Sequence, residues 1–198
     1  MELSEEFPES APWPKPDDQL FRQDGDCQSV ARLKIGGESL YSYAIGYKKA
    51  GDSLAMRFLE NWQGNEFLII PMIFLYRQYL ELHLKELLVS GRSSLGQAAD
   101  FEDIHGLSKL WKPCQTILAE HWPHEPSETW GNVTNLIKEF DKLDGGSFAF
   151  RYPYTKKTQG RKITVPIDRL DVRNIYEVMQ RLSAFFEAHS DGIDACRQ

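Results

Sequence analysis

The sequence lacks the short motifs that mark the common enzyme classes. It has no GxxxxGK[ST] phosphate loop, no GxGxxG fingerprint, no GxSxG elbow and no HExxH pair. We therefore do not expect a P-loop NTPase, a dinucleotide enzyme, a serine hydrolase or a zinc protease. His121 and His124 are separated by Trp122-Pro123 and have no cysteine nearby, so we expect neither a metal site nor a cofactor.

Cysteines and long apolar runs are also scarce. The three cysteines, Cys27, Cys114 and Cys196, lie far apart and form no CxxC pair, which predicts no disulfide framework and favours a reducing cytoplasm. The longest apolar run, residues 67–76, is too short to span a bilayer. No early apolar segment resembles a signal peptide, so we expect a cytoplasmic protein without a membrane partner.

The charge is concentrated in the first part of the chain. Residues 1–26 hold eight acids and two bases, which equals the net charge of −6 for the whole chain. The acids and prolines of residues 1–18 predict an extended arm, and weak period-two alternation at 27–35 is compatible with a short strand; we assign both to a leading segment, residues 1–38. We assign residues 39–192 to a helical domain and residues 193–198 to a C-terminal tail.

Apolar residues recur with helical spacing through most of the chain. The pattern predicts helices over residues 40–59, 66–89, about 107–118, about 127–143, and from Asp168 or Asp171 to about residue 190. Residues 148–153 and 162–165 predict a small β-hairpin excursion around 156–160. The sum is an all-α fold, an irregular bundle of about five helices.

The helix over residues 66–89 is apolar on most sides and carries one polar strip. The strip consists of Arg77, Gln78, Glu81 and Lys85. Glu81 lies roughly 40° round the helix from Arg77, and Lys85 lies roughly 80° round. A helix that is apolar on most of its circumference belongs in an interior, where an unpaired charge is costly. These charges therefore need partners.

Several short blocks resemble the HEPN superfamily of α-helical domains. They are TyrAlaIleGlyTyrLysLysAla (43–50), PheLeuTyrArgGlnTyrLeuGluLeuHisLeuLys (74–85), HisGlyLeuSerLysLeu (105–110) and PheArgTyrPro (150–153). Catalytic members of that superfamily are metal-independent ribonucleases with an Arg, a polar residue and then a His. Arg77, Gln78 and His83 fit this pattern.

The resemblance implies a domain that acts on RNA as a homodimer in a defence or toxin–antitoxin setting, with an antitoxin or other protein partner. RNA carries its own nucleophile, the 2′-hydroxyl. His83 would act as acid or base and Arg77 would hold the phosphate. Gln78 and Glu81 would orient them. The expected substrate-binding residues are Lys85, His105, Arg151 and Arg161.

A second interpretation stays open. Arg77–Glu81 and Glu81–Lys85 are i,i+4 pairs, which support a helix without any catalytic use. On an ideal helix His83 lies roughly 120° round from Arg77, so the two do not share a face. His105 precedes a helix and could fix the loop there. The chain would then be a non-catalytic HEPN-like interaction module that binds a protein or nucleotide partner.

Overall fold

The computed structural model describes residues 14, 18–23, 25–26, 28–31, 33, 39–101, 103–153, 165 and 167–196. The chain divides into two compact units, Met1–Ile35 and Gly36–Gln198. All of the regular secondary structure in the described residues lies in the second unit. Arg161, one of the expected substrate-binding residues, and residues 156–160 of the predicted hairpin excursion lie outside the described residues.

The second unit is an all-α bundle, as the apolar spacing predicts. Its described residues form five α-helices and one short 3-10 turn, Glu66–Leu68, which leads into the second helix. The α-helices are α1 (Leu40–Glu60), α2 (Ile69–Ser94), α3 (Leu107–His121), α4 (Ser127–Asp144) and α5 (Val172–Ala195). Two helices begin at a residue whose side chain accepts a free backbone amide. In α1 the Ser39 side chain accepts from the amide of Ser42, and in α5 the Asp171 side chain accepts from the amide of Asn174.

Helix α2 is the centre of this bundle. It packs against α1, α3 and α5, and α3 in turn packs against α4. Leu80 and Leu84 are fully buried on α2, and so are Tyr76 and Tyr79. Burial on nearly all sides explains why the helix is apolar round most of its circumference, and it confirms the interior position predicted for it.

Two helices extend further than the sequence indicates. The sequence analysis places a loop at residues 90–100 and a tail at 193–198, but α2 continues to Ser94 and α5 continues to Ala195. Gly91 lies on α2 against Ile117 of α3, and Ile193 is fully buried on α5. The serines and glycines that predicted loops are tolerated here because tertiary contacts override their weak helix propensity.

The predicted β-hairpin is wrong at its first strand. Residues 148–153 instead form a turn, in which the amides of Arg151 and Tyr152 donate to the Phe148 carbonyl. Of the second strand only Val165 is described, and it is not in a strand; residues 162–164 lie outside the described residues. Phe150 is buried in the core, whereas the half-buried Phe148 ring lies 4.8 Å from the ring of Tyr152.

Pro113 lies within α3 and does not divide it, although its sequence position predicts a bend or break. The helix is continuous from Leu107 to His121. The apolar residues of α3, which recur with helical spacing, lie on its buried face: Leu110, Trp111 and Cys114 are buried. Sequence therefore sets the face of a helix more sharply than its ends.

The first unit has a turn where the sequence predicts a strand. The Asp26 carboxylate accepts from the amides of Gln28 and Ser29 at 2.8 and 3.0 Å, which lowers the pKa of Asp26. The described residues 28–31 and 33 contain no strand; the rest of the predicted strand, residues 27, 32, 34 and 35, lies outside the described residues.

Among the described residues, none of the helices combines the length and the apolar character that crossing a bilayer would need.

The contact of Gly91 with α3 gives a test of the packing. A Cβ at Gly91 would lie 2.5 Å from Ile117 Cγ2, whereas a Cβ at Gly131 on α4 would meet nothing within 4 Å. Both Gly→Ala changes gain the same helix propensity, so their difference isolates the steric clash. We expect Gly91→Ala to be less stable than Gly131→Ala by about 1–3 kcal/mol in urea unfolding. Equal stability would contradict the α2–α3 contact.

Candidate functional site

The Arg77 side chain is fully buried and its guanidinium is satisfied by three elements of the fold. Nη1 donates to Glu81 Oε2 at 2.6 Å, and Nε donates to the Asp144 carbonyl at 3.2 Å. Nη2 donates to the His105 carbonyl. The arginine therefore ties α2 to the end of α4 and to the residue before the α3 N-cap.

Glu81 collects three donors on one carboxylate. Beside the Arg77 bond, its Oε1 accepts from Lys85 Nζ at 3.0 Å and lies 2.9 Å from His105 Nδ1. Burial by itself raises the pKa of Glu81, but the hydrogen bonds from His105, Arg77 and Lys85 outweigh burial and hold the pKa below its usual value. The carboxylate is thus kept ionised in the interior by its three partners.

Asp144 closes the network at the end of α4. Its Oδ2 lies 3.6 Å from Arg77 Nε, and its Oδ1 accepts from the amides of Phe148 and Ala149 at 2.6 and 2.9 Å. The turn that follows requires Ser147 to adopt a positive φ of 56°, an uncommon conformation for a residue with a side chain. We call the set Arg77, Glu81, Lys85, His105 and Asp144 the Arg77 network.

The neighbouring polar residues are also fixed by this turn. Gln78 Nε2 donates to Ser147 Oγ at 2.8 Å, and Arg151 Nε donates to the Ser147 carbonyl at 2.6 Å. Arg151 is exposed, and its guanidinium carbon lies 5.5 Å from the centre of the Tyr152 ring. Gln78 and Arg151 therefore both hold the turn. The charge of Arg151 is exposed to solvent.

His83 belongs to a different cluster. Its side chain is fully buried, Nε2 lies 3.1 Å from Ser190 Oγ of α5, and its ring lies 5.5 Å from that of Phe186. Tyr79 and Tyr41 meet the ring edge-on at 5.4 and 6.1 Å. Burial lowers the pKa of His83 to about 4, and the Phe186 backbone opposes this only in part.

The structure brings together some of the residues that the sequence nominates and separates others. Arg77, Glu81, Lys85 and His105 share one network. His83 is held instead by Ser190 and Phe186 of α5. Neither Arg77 nor His83 reaches solvent. The pair proposed for RNA cleavage therefore has no common cleft in this conformation.

His105 differs from both because its imidazole is 57% exposed. A carboxylate can only accept, so Nδ1 is the donor to Glu81 and Nε2 of the neutral ring is left as an acceptor. Nε2 lies 3.9 Å from Asp103 Oδ1 at the surface. The result is an outward-facing imidazole whose tautomer is set by a buried carboxylate.

Sequence reasoning missed the partners that lie far along the chain. Asp144 is not among the residues that the sequence analysis nominates. A second cluster joins α1, α2 and α5: Asp52 accepts from Lys48 at 2.8 Å, from Tyr76 at 2.9 Å and from Gln180 at 2.9 Å. Lys48 and Asp52 are an i,i+4 pair within α1, but Tyr76 and Gln180 come from other helices, and no local signal marks contacts between residues that far apart in the chain. The described residues contain no group of three potential metal ligands.

Removal of the Arg77 guanidinium tests whether its network is structural. Arg77→Ala leaves two carboxylates buried beside an empty site, so we expect the free energy of unfolding to fall by roughly 3–5 kcal/mol. Arg181→Ala is the control: its exposed partner Glu177 is 3.9 Å away, and such pairs are worth about 0–1 kcal/mol. Urea unfolding followed by circular dichroism measures both; similar losses would contradict a structural role for Arg77.

The buried His83 predicts a pH dependence of stability. Its folded pKa of about 4 lies below the ordinary value of 6.5, so the unfolded state binds more protons between those values. The stability contribution is present above pH 6.5 and is lost as the pH falls towards 4. We expect His83→Leu to flatten that part of the unfolding profile, whereas His124→Gln, which removes an exposed imidazole, should not. Identical slopes in all three proteins would contradict the assignment.

Comparison with known proteins identifies no family and no function for this site. Protein-family models, curated proteins and solved structures were all searched, and none matches the chain. Its function has therefore to be inferred from its own contacts, burial and charge.

Proposed function

We propose that this chain is a HEPN-like helical module that binds a partner and does not cleave RNA through Arg77 and His83. The proposal depends on one observation, the full burial of both side chains in separate clusters. A phosphate clamp must touch phosphate, and a general base must reach the proton that it removes. Neither condition is met by a side chain without solvent access.

The contacts of Arg77 support the same conclusion. All three nitrogens of the guanidinium already donate to protein acceptors on α2, at the end of α4 and before α3. A phosphate would have to displace acceptors that hold three segments of the fold together. In a ribonuclease the arginine must instead be free to stabilise charge as it develops. The network is therefore better suited to specifying the bundle than to catalysis.

A second candidate function is RNA cleavage with His105 in place of His83. The exposed Nε2 of His105 could accept the proton of a ribose 2′-hydroxyl, because Glu81 holds Nδ1 as the donor. The attack would form the bond from O2′ to phosphorus, and the 5′-oxygen would leave with a proton from water. Homodimer formation and an antitoxin or other protein partner belong to both proposals, and the RNA partner belongs to this one.

An RNA cleavage assay separates the two candidates. We expect purified protein incubated with fluorescently labelled single-stranded RNA and EDTA to give no cleavage above a no-protein control. A metal-independent ribonuclease serves as the positive control. The physical reason is the burial of Arg77 and His83.

Cleavage that survives EDTA would contradict the non-catalytic proposal, and variants then locate the site. Loss of that cleavage in His105→Ala with retention in His83→Leu would establish the second candidate. Loss of cleavage in His83→Leu with retention of cleavage in His105→Ala would instead support the motif of Arg77, Gln78 and His83 found in the sequence. Circular dichroism of each variant shows that the fold is intact, so that lost activity is not lost structure.

A further inference from the structure

An apolar groove lies between α4 and the first turns of α2 and α5. Its cavity volume is about 400 Å³, within the range of about 300–1,000 Å³ that ligand sites occupy. Apolar side chains of all three helices line it, among them Ile70 and Ile73 of α2, Leu136 and Phe140 of α4, and Ile175 and Met179 of α5.

The apolar surface continues out of the groove. Ile70 and Ile167 line it and are 46% and 38% exposed. Phe67, in the turn next to the lining residue Glu66, is 87% exposed. Single exposed apolar residues are ordinary, but a cluster of them at the mouth of an apolar groove is typical of an interaction site. A partner that covers this rim would gain free energy by removing its apolar surface from water.

The charged groups at the rim are mostly of one sign. Four exposed acids line the groove, against the single exposed base Arg169; the acids are Glu66, Glu139, Asp168 and Asp171. Asp171 also caps α5, since one of its oxygens accepts from the Asn174 amide at 3.0 Å. A groove that is apolar inside and acidic round its mouth favours a partner with the complementary distribution.

We propose that this groove binds an amphipathic helix of a protein partner, with apolar side chains in the groove and basic residues facing the acidic rim. The inference rests on the proposed function as an interaction module. Apolar side chains at i, i+3, i+4 and i+7 of one helix fill such a groove, as in other helix-in-groove complexes. The lysines or arginines between them meet the carboxylates at the mouth.

The test uses two fluorescein-labelled peptides of about 15 residues, long enough to form a helix on binding. Both have leucines at the same positions, and the polar positions are lysine in one and glutamate in the other. We expect the lysine peptide to bind the full chain at least about tenfold more tightly than the glutamate peptide, as measured by fluorescence anisotropy. Equal affinities would overturn the charge argument.

Matched variants place the binding in the groove. Ile70→Ser removes an apolar contact, and Glu139→Lys reverses a rim charge. Each change should lower the affinity for the lysine peptide by about fivefold or more. Trp62→Ser and Glu120→Lys make the same kinds of change at exposed residues outside the lining and should leave its affinity unchanged. Equal effects of groove variants and control variants would overturn the site.

Isoleucine methyl spectra identify the occupant. Peptide should shift the methyl resonances of Ile70 and Ile73 and leave those of Ile117 and Ile193 unchanged. Shifts at Ile117 and Ile193 alone would overturn the site. If the double change Lys156→Glu, Lys157→Glu shifts the methyl resonances of Ile70 and Ile73 without peptide, the occupant is the chain's own segment around Lys156 and Lys157 and the proposal fails. RNA cleavage by the protein would contradict the non-catalytic function, but it would not change these peptide measurements.

Discussion

Burial of the Arg77 guanidinium is the constraint on which the helical unit depends. A buried cation needs both an opposite charge and enough acceptors, because desolvation costs several kcal/mol per ion. Glu81 supplies the charge one helical turn away, and the carbonyls of His105 and Asp144 supply acceptors from two other segments. The start of α3 and the end of α4 are thereby fixed to the central helix. A lysine would not replace the arginine, since it lacks the planar fork that bonds in three directions.

The same constraint separates the polar groups of α2 into two sets. The Arg77 network faces the loops around α3 and α4, and His83 faces Ser190 and Phe186 of α5. Positions six residues apart on one helix point in directions roughly 120° apart, and in this bundle different helices cover those directions. Only His105 brings a titratable group of the network to the surface. His105 is therefore the residue of this network that can meet a molecule from solvent, and the apolar groove is the site proposed for a protein partner.

Much of the fold could be predicted from sequence. The spacing of Leu110, Trp111 and Cys114 gave the buried face of α3, and the apolar circumference of residues 66–89 gave an interior helix. The ends were less predictable: Ser90 and Gly91 suggest a loop, but contact of Gly91 with Ile117 keeps them helical. The aromatic alternation at 148–153 suggests a strand, yet the Asp144 carboxylate captures the amides of Phe148 and Ala149 and makes a turn.

For the site, the sequence by itself determined that Arg77, Glu81 and Lys85 share one helical face and must be paired if buried, because helical geometry fixes neighbours within a turn. Only the tertiary structure decided that Asp144 and the His105 carbonyl complete the pairing and that His83 is excluded from it. It also decided that His105 remains exposed and that an apolar groove opens beside α4. Those outcomes depend on how helices far apart in the chain pack together, and no local pattern records that packing.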